Sequence, residues 1–291
     1  MRYHGTMIRP PSEADSYILQ VTFGCSHNHC AFCGTYLDKP FRLRPMEEVL
    51  EDIAVAGRVL PETRRVFLAD GNALVLPTPR LAQVLDALAD AFPLLRRVGT
   101  YANAQDMLRK SDSDLALLRE KGLQIIYLGL ESGSKAVLRQ IDKGADPAQM
   151  LEAVRKTRRA GIRTSVIALL GIAGPELSAE HAEATGKLVS AMDPEYLSLL
   201  TLMLVPRTEL HRRHQRGEFP LMTPVALLEE MRGILNHTDA LTRCVFRTNH
   251  ASNYVPLAGT LSRDKARLLE TLDRALAMGS AAFRPEAWRG L

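Results

Sequence analysis

The chain has 291 residues, 46% of them hydrophobic, and a formal charge of +4. That is apolar material for a large core in one or two domains, and too little charge to mark a nucleic-acid binder. Three of its four cysteines, Cys25, Cys30 and Cys33, fall within nine residues, which argues against a secreted disulfide framework and for a reduced compartment. Residues 1–15 hold Arg2, Arg9, Glu13 and Asp15 with no apolar run, and the greasiest later stretches, 166–174 and 197–205, are too short to cross a bilayer. A soluble cytoplasmic protein with no membrane partner is therefore expected.

Residues 1–16, with Pro10-Pro11 and little periodicity, read as a lead-in arm. Residues 17–23 are an apolar run expected to form a buried strand, and the loop Cys25-Ser26-His27-Asn28-His29-Cys30-Ala31-Phe32-Cys33 follows its C-terminal end. After Pro45, the residues Met46, Val49, Leu50, Ile53 and Gly57 recur at helical spacing. The same phrase returns at 66–69, followed by Asp70-Gly71-Asn72-Ala73 and a helical stripe of Leu81, Val84, Leu85, Leu88 and Phe92. Residues 97–101 give a third strand, with a helix around 115–118 that stops near Gly122.

The fourth strand, 125–130, ends in Glu131-Ser132-Gly133-Ser134. Asp146 as N-cap and Pro147 in the first turn then open a helix through Met150, Leu151 and Val154 that ends before Gly161. A fifth strand over 164–170 closes on Gly171-Ile172-Ala173-Gly174-Pro175, and Ser178 is expected to cap a helix reaching about Met192. Residues 196–204 make the sixth strand. Thr223-Pro224 opens a helix along Leu227, Leu228, Met231, Ile234 and Leu235, and a last helix covers 262–279.

Six strands alternating with helices imply a parallel sheet covered on both faces. The expected fold is α/β: a partial (β/α)6 TIM-like barrel with a short N-terminal arm and a helical C-terminal extension. It is read as a single domain over 1–291, with its core at about 16–210 and the extension at 211–291. In such architectures the loops at the C-terminal strand ends carry the chemistry. The cysteine loop, Asp70-Gly71-Asn72, Tyr101-Ala102-Asn103 and Glu131-Ser132 all emerge there.

Three thiols in one loop describe a metal site, because soft sulfur ligands suit both zinc and iron-sulfur clusters. A structural zinc wants a fourth protein ligand, which His27 or His29 offers, whereas a cubane on three cysteines keeps one iron open. The loop alone leaves both readings standing. Convergence of polar residues from four successive strand ends favours the cluster, since a zinc knuckle has no need of it. Elsewhere the basic run Arg155-Lys156-Thr157-Arg158-Arg159 reads as a solvated helix face. The knot Asn249-His250-Ala251-Ser252-Asn253 is either a cover for the barrel mouth or ordinary loop chemistry. Arg207, Arg212 and Arg213 either meet an anionic group or begin a solvated helix, and Cys244 reads as a small buried hydrophobe.

A cysteine trio after the first strand of a six-fold βα chain, with Phe32 just before the third cysteine, resembles the radical S-adenosylmethionine (SAM) superfamily. Tyr127-Leu-Gly-Leu-Glu-Ser-Gly-Ser134, Ile141-Asp-Lys-Gly144 and Leu170-Gly-Ile-Ala-Gly-Pro-Glu176 resemble the branch that holds oxygen-independent coproporphyrinogen oxidase and the elongator-type enzymes. The motif departs from the family's usual Cys-x3-Cys-x2-Cys, since four residues separate Cys25 from Cys30.

The resemblance implies that Cys25, Cys30 and Cys33 hold a 4Fe-4S cluster whose fourth iron chelates SAM. By the same resemblance Phe32 lies beside the adenine, and Asp70, Gly71 and Asn72 meet the SAM amino group, chiefly through backbone. Tyr101 and Glu131 serve its ribose and methionine parts, Lys143 neutralises its carboxylate, and Leu169 packs on the adenine. Read from the residues alone, Glu131 is equally a helix cap, Asp70-Gly71-Asn72 a tight turn, Lys143 a surface residue and Leu169 core. The implied activity is radical SAM oxidoreductase, lyase or transferase chemistry on a small-molecule substrate, with an external one-electron donor of flavodoxin or ferredoxin type. The alternatives are a zinc-stabilised binding protein and a modifier of tRNA or peptide. With Cys244 the remaining cysteine, an auxiliary cluster is not expected.

Overall fold

The computed structural model describes residues 1–290. The chain runs through β1 (Tyr17–Gln20), β2 (Thr22–Phe23), β3 (Arg42–Leu43), α1 (Met46–Val59), β4 (Arg65–Ala69), α2 (Thr78–Ala91) and β5 (Arg97–Tyr101). It continues with α3 (Ala104–Arg109), α4 (Asp112–Glu120), β6 (Leu123–Glu131), α5 (Lys135–Gln140), α6 (Pro147–Arg159), β7 (Arg163–Leu170) and α7 (Gly174–Met192). β8 (Tyr196–Thr201), α8 (Glu209–Gln215), α9 (Pro224–Asn236), β9 (Val245–Arg247), β10 (Ala258–Thr260) and α10 (Leu261–Met278) complete it.

The larger sheet has the order β1-β4-β5-β6-β7-β8-β9-β10, and β2 and β3 pair separately. Tyr17 stands opposite Val66 and Gln20 opposite Ala69, while Leu68 faces Thr100 and Tyr101 faces Tyr127, all in parallel register. β7 and β8 are parallel from Ser165↔Tyr196 to Leu170↔Thr201, β9 joins β8 in parallel, and β10 closes the run antiparallel to β9. The expected parallel βα sheet is thus present, lengthened by two short strands. Within each unit, parallel strands in step bring their C-terminal loops out at one end.

The chain divides into two compact units, neither continuous in sequence: Met1–Asn28, Thr35–Leu128 and Glu152–Thr164 form the first, and His29–Gly34, Gly129–Leu151 and Ser165–Leu291 the second. In the first, Val66, Phe67 and Leu68 are fully buried with Ile53 and Ala56 of α1 and Leu81, Val84, Leu85 and Leu88 of α2. On α2 these recur at i, i+3, i+4 and i+7, one apolar stripe of the helix, and each buried Leu, Ile or Val side chain contributes about 1.5–3 kcal/mol. In the second, α7 packs against α9 and α9 against α10.

Several boundaries follow their expected signals. At α4, Ser111 and Asp114 form a reciprocal capping box that was not read from the sequence. Asp146 accepts from Gln149 N at 2.9 Å, and Thr223 Oγ1 accepts from Ala226 N at 3.2 Å with Pro224 at the first position of α9. Three expectations are corrected. Residues 17–23 are not one strand: after Val21, whose N–H donates to Ala69 O at 2.6 Å, the chain leaves the large sheet and Thr22 and Phe23 pair with Leu43 and Arg42. Ser178 does not cap α7, which begins at Gly174 because Pro175 is tolerated where no N–H is needed; Ser178 lies inside the helix. The sixth strand stops at Thr201 rather than 204, since the Thr201 N–H donates to the Ser252 side chain at 3.2 Å. Among the described residues no helix is long and apolar enough to cross a membrane.

Candidate functional site

In the first unit Asp70, Gly71 and Asn72 frame the entry to the cysteine loop. The Gly24 N–H donates to Asp70 Oδ2 at 3.1 Å, and the Gly71 N–H donates back to Gly24 O at 3.1 Å, so the peptide just before Cys25 is held from both sides. Asp70 Oδ2 also accepts from Gln20 Nε2 at 3.1 Å and Lys39 Nζ at 2.9 Å. Gly71 has to be glycine: a Cβ there would stand 2.6 Å from Cys25 Cβ and 2.7 Å from the Tyr36 ring. On the far side of Cys25, Asn72 Nδ2 donates to Ser26 Oγ at 2.8 Å and to Asp106, while its Oδ1 accepts from Asn103 N at 3.4 Å.

The Asp70 and Asn72 side chains are fully buried in this frame. Tyr101 is half-buried in an edge-to-face set with Phe67 at 5.1 Å and Tyr127 at 6.1 Å. Burial, with Tyr127 and Glu13 adding to it, lifts its phenol far above the usual range, so it stays neutral.

In the second unit the stretch between Cys30 and Cys33 is clamped by backbone. Ala31 N donates to Ile141 O at 2.8 Å, Leu210 N donates to Ala31 O at 2.7 Å, and Cys33 N donates to Cys30 O at 3.1 Å. Phe32 and Leu169 are both half-buried and pack against one cluster that includes Val137, Leu138, Ile141, Ile172, Leu210 and Phe219. Lys143 is not a surface residue: its Nζ donates to Glu131 Oε1 at 2.8 Å, the Glu131 side chain is buried and that of Lys143 keeps 13% exposure. Burial pulls the ammonium down, but Glu131 and the thiols of Cys30 and Cys33 outweigh it and hold Lys143 above its ordinary range. Burial likewise raises the Cys30 thiol, and Lys143 draws it partly back.

Glu131 sits in the left-handed region at φ 61°, at a cost on the order of 1 kcal/mol for a residue with a Cβ. It does not cap α5, whose N-cap is Ser134 with its own side chain accepting from Val137 N.

In its chemistry the donor set suits an iron-sulfur cluster: none of the three loop cysteines is in a disulfide, and sulfur is the ligand such clusters take.

The remaining polar segments have partners within the fold. Asn253 is fully buried: its Oδ1 accepts from Thr201 Oγ1 at 2.9 Å, and its Nδ2 donates to Leu199 O at 2.7 Å and Thr248 O at 3.0 Å. Arg212 pairs with Glu209 at 2.9 Å and Arg213 lies over the Phe219 ring. Lys156 of the basic run donates to Leu108 O at 3.0 Å and to Lys110 O. Cys244 is buried, which pushes its thiol up to about 12.

Sequence reasoning missed two buried groups, His181 on α7 and Glu230 on α9. The signal was present: Glu230 falls three residues after Leu227 and four before Ile234, inside the apolar stripe, and His181 shares a four-residue spacing with Thr185 and Val189.

A sequence profile described as the Radical SAM superfamily matches residues 19–189. An uncharacterized methyltransferase of Pyrococcus horikoshii is 25% identical over 200 residues, covering 66% of this chain and 40% of the relative. The heme chaperone HemW of Lactococcus lactis is 24% identical over 197 residues, covering 66% and 50%. The chain thus spans about half the length of these relatives or less. Among solved structures, the coproporphyrinogen III oxidase HemN of Escherichia coli superposes with a TM-score of 0.56 at 17% identity, covering 76% of this chain and 52% of that one. At that identity the likeness is one of fold.

Proposed function

Because the chain belongs to the radical SAM superfamily, we propose that Cys25, Cys30 and Cys33 hold a 4Fe-4S cluster and that the chain binds SAM for radical chemistry on a small molecule. When bound, the reduced cluster and SAM together supply a 5′-deoxyadenosyl radical that abstracts hydrogen from the substrate. The observation that carries the reading is the Lys143–Glu131 pair, whose cation also acts on Cys30 and Cys33.

In this reading Lys143 neutralises the carboxylate of SAM, Glu131 orients its amino acid or ribose part, and Phe32 and Leu169 receive the adenine. Asp70 and Gly71 hold the backbone of Gly24 and Asn72 holds the Ser26 hydroxyl, so their part is to keep the Cys25 thiol in place, with backbone groups left for SAM. Tyr101 is a neutral aromatic wall. An external one-electron donor of flavodoxin or ferredoxin type supplies the electron. The half-buried apolar face excludes water from the reacting part of the ligand.

Anaerobic reconstitution tests this directly. The expected protein is brown, binds iron and sulfide, and releases 5′-deoxyadenosine from SAM under reduction, and Cys30→Ala loses the colour and the product together. A colourless protein carrying stoichiometric zinc overturns it.

A second reading rests on the similarity to a heme chaperone: the chain handles heme and does no radical chemistry. A Soret band on heme titration, with no 5′-deoxyadenosine formed by the brown protein, would favour it.

A further inference from the structure

Two turns of the second unit carry residues assigned above to SAM: the one after β6, which follows Glu131, and the one after β7, which follows Leu169 and Leu170. The β7 turn is hydrogen-bonded to a buried carboxylate, and the β6 turn meets an imidazole packed against that carboxylate. Glu230 Oε1 accepts from the Gly171 N–H at 2.6 Å, and its Oε2 accepts from Ser178 Oγ at 2.5 Å. His181 Nε2 stands 3.7 Å from Glu230 Oε1, and on its other side His181 Nδ1 meets Ser132 Oγ at 2.8 Å and Thr185 Oγ1 at 3.3 Å.

Ser132 Oγ accepts from Ser134 N at 3.0 Å, and Thr185 Oγ1 from Gly133 N at 2.8 Å. Each hydroxyl keeps one proton to give, and with His181 Nδ1 as its acceptor the ring proton lies on Nε2, on the side of Glu230. Nε2 is fully buried with no hydrogen-bond partner, and the Glu230 carboxylate facing it at 3.7 Å is beyond hydrogen-bond distance.

We propose that Glu230 and His181 are positioning residues for the cofactor site: a carboxylate on α9 that fixes the β7 turn directly at Gly171, and through the imidazole on α7 fixes the β6 turn at Ser132 and Gly133. Neither residue touches the cofactor. Their task is to hold Glu131, itself in a left-handed conformation, and Leu169 at a set height relative to one another within the unit. The role rests on the assignment of Glu131 and Leu169 to SAM.

The test compares Glu230→Leu, which removes both acceptors, with Glu230→Gln, which keeps an oxygen for the Gly171 N–H, and with His181→Leu, which breaks the branch to the β6 turn alone. Amide hydrogen exchange is followed in the chain before reconstitution, and the iron content and SAM Kd after it. In Glu230→Leu, exchange at Gly171 and Gly133 is expected to quicken by about tenfold and the SAM Kd to rise by about tenfold with iron content unchanged. Glu230→Gln should restore most of both, and His181→Leu should quicken Gly133 and spare Gly171. If Glu230→Leu does not fold, His181→Leu carries the test.

Parent-like exchange at both turns overturns the latch. Faster exchange with a parent-like SAM Kd, in a chain whose Glu131→Gln variant does bind SAM more weakly, overturns the positioning role. If Glu131→Gln itself leaves the SAM Kd unaltered, the contact assignment has failed, and the positioning role falls with it.

Discussion

Lys143 Nζ lies 2.8 Å from Glu131 Oε1, and the space the pair occupies is open because residue 129 is glycine: a Cβ there would stand 2.2 Å from that oxygen and 3.0 Å from the ammonium. Lys143→Ala leaves a buried carboxylate without its counter-charge, so the chain should lose about 3–5 kcal/mol in urea denaturation. The double change Lys143→Met with Glu131→Gln removes both charges and should recover most of that loss. Equal stability of the single and double variants would mean the two groups are not coupled.

Gly71→Ala puts a methyl against Cys25 and the Tyr36 ring. Backbone on one side and an aromatic on the other leave it nowhere to go, and overpacking of this kind costs about 1–3 kcal/mol. The strain falls on the residue proposed as a cluster ligand. Iron bound per chain after reconstitution should drop while the circular dichroism of the same sample keeps its helical shape. A full iron complement in the variant would show that the Cys25 position yields easily.

Asn253 uses both ends of its amide on Thr201, Leu199 and Thr248. Asn253→Ala leaves these groups unanswered in the interior, and a loss of about 1–3 kcal/mol is expected in the denaturation midpoint. A variant as stable as the parent would restore to residues 249–253 the part of a cover over the barrel mouth.

The strands were legible wherever an apolar run ended on turn chemistry: 97–101 coincides with β5, and 164–170 starts one residue late against β7. Pairing partners are not written in such a run, so the change of sheet at Val21 could not be read. The cysteine loop and the strand-end residues were visible because sulfur and small polar residues are conspicuous there. The burial of Lys143 was not, since a lysine next to Gly144 looks the same in sequence whether or not a carboxylate meets it. His181 and Glu230 were hidden for a related reason: on an amphipathic helix a charged residue is assigned to water unless its place in the stripe is weighed above its chemistry.

The same two residues set a pH signature. Burial pushes Glu230 from its ordinary 4.5 up to about 7 and pulls His181 from 6.5 down to about 4. The groups facing Glu230 are His181 and Ser178 of α7 and the Gly171 N–H, while Glu180, beside His181 in the chain, is engaged with Ser134. Between about 4.5 and 6.5 the folded pair is a protonated carboxyl with a neutral imidazole, and the unfolded pair an ionised carboxylate with a charged imidazole. Each holds one proton, so the pair adds no slope to stability across that window.

Removing one partner exposes the other. Glu230, with its folded value raised, contributes stability that is complete below 4.5 and lost as pH rises through about 7. His181, with its value depressed, contributes stability that is complete above 6.5 and lost as pH falls toward about 4. His181→Asn should therefore lose stability relative to the parent as pH rises from 4.5 to 7, and Glu230→Gln should gain it as pH rises from 4 to 6.5. Each slope approaches about 1.4 kcal/mol per pH unit. Urea titrations of the three proteins at matched pH values measure both, and slopes of the same sign in the two variants would show that the residues do not titrate as an opposed pair.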